Sequence, residues 1–161
     1  STGALEEPSF FSVRQGLPGS SWLCGDGETW VEDVTIAADG SLFFVNEGGC
    51  VWKVSGDTLQ LQWQQKHGFL HAPVTLYPHP VLGTLVFTIS PDGYVKGLDA
   101  ATGELKLRYR YTASFGNKEG VREKGFAIAS DGTLYFGVLN KVFGIDPLSY
   151  DAVEGFRQAS R

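Results

Sequence analysis

Apolar residues along this chain fall in short runs, several of them alternating with polar residues, and the runs are separated by turns built on glycine beside Asp, Ser or Thr. Short runs rich in Val, Ile, Phe, Tyr and Thr predict strands rather than helices. A first group spans Val34–Asn46, broken at Asp39-Gly40, and then Cys50–Ser55. A second comprises Pro73–Tyr77, Leu82–Ser90 and Tyr94–Asp99, and a third Phe126–Gly137, broken at Asp131-Gly132, with Lys141–Asp146. One more strand is expected after each group, at Leu59–Gln64, Glu104–Thr112 and Ala152–Phe156. In Leu59-Gln60-Leu61-Gln62-Trp63 and Leu105-Lys106-Leu107-Arg108-Tyr109 the period of two puts every apolar side chain on one neighbouring sheet. No stretch reads as a long helix.

The three groups repeat one pattern: apolar strand, glycine turn, apolar strand, second turn, then a strand ending in Asp or Ser. Gly40, Gly83 and Gly132 anchor the copies at steps of 43 and 49 residues, and the third strands end 15, 16 and 14 residues after their anchors. A four-stranded unit recurring every 40–50 residues is the period of a propeller blade. A sandwich of short strands gives similar turn signals, but the longer period favours blades. The expected fold is therefore all-β: about three four-stranded blades of a β-propeller, completed by another chain or by missing sequence. As one partial domain it divides into an N-terminal strand and linker (1–30) and blades at 31–66, 67–115 and 116–161.

Gly97-Leu98-Asp99-Ala100-Ala101-Thr102-Gly103-Glu104 resembles the blade signature of quinoprotein-type (PQQ-like) propeller repeats, in which a strand ends in Leu-Asp and Ala-Thr-Gly turns into the outermost strand. Asp131–Phe136 with Phe143–Asp146 resembles the same repeat. Val31–Phe44 is similar to the opening blade of the strictosidine synthase, paraoxonase and gluconolactonase propellers. That second resemblance implies a central calcium held by an acidic pair, here Glu32 and Asp33.

Composition narrows the function. Hydrophobic residues make up 42% and charged residues 19%, which describes a globular, lightly charged chain. A net charge of −5 without a basic run is a poor basis for binding a phosphate backbone. No apolar run approaches the roughly 20 residues of a membrane helix. The chain begins with Ser1 and holds no Met, as expected of a processed or trimmed chain. Cys24 and Cys50 admit two readings, a disulfide or two buried free thiols.

In a propeller the lead-ins to the innermost strands meet at one mouth of the central channel. Here they carry Glu32 and Asp33, then His71, then Arg122, Glu123 and Lys124, a mixed-charge set suited to a polar ligand or a partner loop or, equally, to solvated ion pairs. No cofactor is expected; the alternative is calcium, with Glu32 and Asp33 as ligands. His67 and His71 lie four apart, but Gly68 and Pro73 oppose the helix that would align them for zinc. No Gly-x-Ser-x-Gly or phosphate-cradling loop occurs.

Three blades also leave two outer sheet faces to be covered. The cover is expected from a two-fold dimer completing a six-bladed ring, or from another chain supplying blades. Ser9–Arg14 reads as a lone strand able to complete such a blade. These features rank a non-catalytic module for protein–protein interaction or complex assembly first. Part of a calcium-dependent hydrolase or lactonase propeller comes second. A carbohydrate-binding propeller using Trp22, Trp30, Trp52 or Trp63 comes third, although Trp52 and Trp63 read as core residues.

Overall fold

The computed structural model of the protein describes Cys24, Val31 and residues 33–46, 48–67, 72–90, 93–111, 125–138 and 141–149. These form three antiparallel sheets and, among the described residues, no helix. Blade 1 is β1 (Thr35–Ile36), β2 (Leu42–Val45), β3 (Cys50–Val54) and β4 (Leu61–Lys66), in that order across the sheet. Blade 2 is β5 (Thr75–His79), β6 (Gly83–Ser90), β7 (Tyr94–Asp99) and β8 (Leu105–Arg110). Blade 3 holds β9 (Ala127–Ile128), β10 (Leu134–Val138) and β11 (Lys141–Ile145). Its expected fourth strand, Ala152–Phe156, lies outside the described residues, as does Ser9–Arg14.

The sequence repeat recurs as a repeat of hydrogen bonds. In the β1–β2 turn Gly40 N–H donates to Ala37 O (3.0 Å) and Ser41 N–H to Asp39 Oδ1 (2.9 Å). Blade 3 copies this with Gly132 to Ala129 O (3.0 Å) and Thr133 to Asp131 Oδ1 (2.9 Å). Both glycines have positive φ, 81° and 86°, which is why Asp-Gly recurs there. Blade 2 has no aspartate at this turn. His79 Nδ1 replaces it, accepting from Val81 N–H (3.2 Å) and Leu82 N–H (3.0 Å), so this histidine is engaged in a turn.

Asp99 organises the β7–β8 turn. Its Oδ1 accepts from Ala101 N–H and Thr102 N–H, each at 2.8 Å, and from the Thr102 hydroxyl at 3.1 Å. Gly103 follows at φ 76° and donates to Asp99 O (2.8 Å). In blade 1 the same place is taken by Leu59, which donates to Ser55 O (2.9 Å) at φ 53°. A leucine there is strained, and its packing against the buried cluster of Cys24, Phe44, Cys50, Trp52 and Val54 offsets the strain. Leu59 is thus a turn residue, and β4 begins two residues later than the alternation predicts.

The sheets pack face to face. Phe43, Val45, Val51 and Trp63 of blade 1 meet Val74, Val86 and Leu98 of blade 2 in one core. Leu85, Phe87, Ile89, Leu107 and Tyr109 of blade 2 meet Leu134, Phe136, Val138 and Ile145 of blade 3 in another. Polar bonds cross both seams. Trp63 Nε1–H donates to Ala100 O (3.1 Å), and the Thr35 hydroxyl to Val74 O (2.7 Å). Phe126 N–H donates to the Thr75 hydroxyl (3.3 Å), and Lys96 Nζ reaches His67 O at 2.6 Å.

Two expectations need correction. The outermost strands do not keep a simple alternation, because register shifts fall between Lys53 and Val54 and between Gly97 and Leu98. Trp63 pairs with Lys53 and enters the core with blade 2, whereas Leu61 pairs with Val54 and packs on the opposite side. Such a bulge adds a residue and so switches faces. The second correction concerns the outer face of blade 1, expected to be open: Phe44, Trp52 and Val54 are buried there together with Cys24 and Cys50. The two cysteines are joined by a disulfide. Asn46 braces the link, its Nδ2–H donating to Cys24 O (3.3 Å) while its Oδ1 accepts from Cys50 N–H (3.0 Å).

Candidate interaction surfaces

Of the residues expected at the channel mouth, Asp33 is described, and it is exposed on the lead-in to β1. Glu32, His71, Arg122, Glu123 and Lys124 lie outside the described residues, so their convergence and the calcium pair are not addressed by this geometry. Among the described residues no three His, Cys, Asp or Glu side chains come together as a metal-sized group. Trp52 and Trp63 are 1% and 8% exposed, so both are core residues and neither is a sugar-stacking platform. Trp22 and Trp30 lie outside the described residues.

Two other surfaces stand out. The first is the outer face of blade 3. Strand pairing puts Ala127, Tyr135 and Gly144 side by side on it, followed by Gly137 and Val142. Tyr135 is 44% exposed and Val142 78%. The Tyr135 ring lies along Gly144, where an added Cβ would sit 3.0 Å from it. The face is therefore flat and apolar, whereas the corresponding outer face of blade 1 is buried. The inner face of the same sheet carries Phe136 and Phe143 stacked at 5.3 Å, both edge-on to Tyr111 of blade 2.

The second surface is a cleft of about 530 Å³ between blades 1 and 2, at the end of the molecule where β1 turns into β2 and β7 into β8. Phe43, Leu76, Pro78, Leu82 and Ala100 form much of its wall, with Asp39, Lys53 and Asp99 as its charged members. Both carboxylates use Oδ1 to hold their own turns. The Ser41 bonds hold the Asp39 carboxyl below its ordinary pKa. For Asp99, partial burial pushes upward, but the bonds from Thr102 and Ala101 outweigh it and the net shift is downward. Each is thus ionised at neutral pH. Lys53 lies over the Phe43 ring, 5.4 Å from its centroid.

The sequence repeat predicts an uncovered outer face at each end of the three-blade stack, and blade 3 presents one; the cleft has no counterpart there. The outer face of blade 3 was readable in part, since Tyr135 and Val142 alternate with the core positions Leu134, Phe136 and Phe143. The cleft was not, because it depends on how two blades meet.

Antiparallel sheets stacked face to face, each returning through the same turns, define an incomplete β-propeller. No protein-family model matches the chain, and no curated protein matches it. Solved structures do. BamB from Moraxella catarrhalis, a propeller of the quinoprotein type, is similar at 17% identity and a TM-score of 0.53, over 70% of this chain and 32% of that one. The WD40 β-propeller domain of Doa1 is similar at 16% and 0.55, over 74% and 37%. A protein of unknown function from Bacteroides caccae is similar at 11% and 0.56, over 76% and 44%. The chain spans less than half of each of these neighbours, and the likeness defines the fold.

Proposed function

We propose that this chain is a non-catalytic β-propeller module in a protein complex, and that the outer face of blade 3 receives a further blade. The observation that carries the reading is the inequality of the two end faces, buried on blade 1 and open at Tyr135 and Val142 on blade 3. The occupant assigned is the apolar face of another β-sheet. Both seams inside the chain are of that kind, so the contact continues an existing packing mode, and the solved neighbours are longer than this chain. A ring made from two copies would have to use the outer face of blade 1 as well. That face is already filled, so a blade from another chain is the better fit.

The test is the native mass, by light scattering on a sizing column over a range of concentrations. An uncovered apolar face is adhesive. The isolated chain is expected to self-associate above its 17.5 kDa mass, and Tyr135→Lys with Val142→Lys to return it to a single chain with an unchanged far-UV spectrum. A monomer at every concentration overturns the reading.

A further inference from the structure

The end of the molecule that holds the cleft is rich in carboxylates. At the end that holds the cleft, five turn aspartates (Asp39, Asp57, Asp99, Asp131 and Asp146) stand with Glu104 against Lys53 and Lys106. Lys106 is already bound to Glu104 at 2.7 Å. The cleft therefore joins an apolar wall to a rim of two carboxylates, Asp39 and Asp99, and one cation, Lys53, which is held over the Phe43 ring and leaves the lining net negative. Asp39 and Asp99 hold their own turns through Oδ1, and Asp39 stands exposed at the rim. Beside Leu82, Val81 stands 83% exposed in the β5–β6 turn and extends the apolar surface past the mouth.

We infer that this cleft is a docking site for a basic segment of a partner protein, which seats one large apolar side chain between blades 1 and 2 and lays Lys or Arg against Asp39 and Asp99. The volume admits a Leu, Phe or Trp side chain with its backbone. The apolar walls supply the affinity, while the rim carboxylates set orientation and choose a basic partner over an acidic one. This rests on the reading of the chain as an interaction module, but it uses a different surface from the outer face of blade 3.

The probe is a labelled peptide of alternating leucine and arginine, followed by fluorescence anisotropy against the intact chain. Two control peptides carry Glu for Arg or Ser for Leu. Binding is expected for the first peptide alone and should weaken as salt is raised. Asp39→Asn with Asp99→Asn keeps both Oδ1 acceptors and removes the charge, so it should weaken binding about five- to tenfold with the fold intact. Ala101→Trp, placed at the exposed rim, should abolish it by filling the cleft. Val142→Lys should leave it unchanged, which separates this site from the blade 3 surface. Equal binding of the Glu peptide, full binding to Ala101→Trp, or no binding of the Leu-Arg peptide each overturns the inference.

Discussion

Gly103 and Gly40 both have positive φ, 76° and 81°, yet they differ in what surrounds them. A Cβ on Gly40 would meet nothing within 4 Å, whereas one on Gly103 would lie 2.8 Å from the Trp63 ring. Gly40→Ala should therefore cost only the left-handed strain of about 1–2 kcal/mol. Gly103→Ala should add roughly 1–3 kcal/mol more, because the indole cannot move away without leaving Ala100 O. Urea unfolding of the two variants measures the difference, and equal losses would mean that Trp63 is not clamped. The turn aspartates give a second test. Hydrogen bonds from Ser41 lower the pKa of Asp39, and those from Thr133 lower that of Asp131; in Asp99 the turn bonds overcome an opposing desolvation. Each folded-state pKa lies below the unfolded value of about 3.9. Their contribution is thus present above that value and is lost as pH falls through the folded values. Asp39→Asn, Asp99→Asn and Asp131→Asn together should flatten the fall of melting temperature below about pH 4, while leaving the neutral-pH turns in place. Tyr77 titrates in the opposite direction. Burial, then the charges of Asp146 and Asp131, raise its pKa, so stability should decline above about pH 10, and Tyr77→Phe should remove that decline.

The strands test how far pattern reading reaches. Cys24–Cys50 ties the start of β3 to a residue 26 positions earlier, and in the chain-entropy model such a loop contributes roughly 3 kcal/mol. Replacing both cysteines by Ala should lower stability by about that amount. Trp52, in the same buried cluster, should report the loosening as a red-shifted emission; unchanged emission and stability would mean that the cluster holds without the link. Sequence spacing alone could not decide between bond and free thiols, since the pairing depends on Asn46 and the β2–β3 turn bringing Cys24 within reach. The strands and glycine turns were readable because their signals are local: a run of apolar residues, then Asp-Gly at a left-handed corner. The start of β4 was not, because Leu59 takes a position where glycine is expected and tertiary packing offsets the strain. The register shifts were hidden as well. Leu61 and Trp63 look equivalent in a period of two, and only the pairing with Val54 and Lys53 sends them to opposite faces. Of the channel-mouth residues, Asp33 is among those described and is exposed on the lead-in to β1.

Taken as a stack, the molecule is not evenly supported. Blade 2 is covered on both faces, by the core shared with blade 1 and by the larger aromatic core shared with blade 3. Blade 1 has a buried outer face and a disulfide. Blade 3 is packed on one face, with its other side open at Tyr135 and Val142. In stacked repeats, stability is close to a sum of each unit and its contacts with its neighbours, so a unit with one neighbour opens at lower cost than a unit with two. Amide exchange followed by mass spectrometry should therefore be slowest in β6 and β7 and fastest, among the longer strands, in β10 and β11. If all three sheets exchange together, the seams are strong enough to make one cooperative unit, and the open face carries no energetic penalty. If β10 and β11 exchange first, they also become the reporter for the proposed attachment. A blade seated on Tyr135 and Val142 would supply the missing neighbour, and protection should then rise in β10 and β11 before it changes anywhere in blade 1.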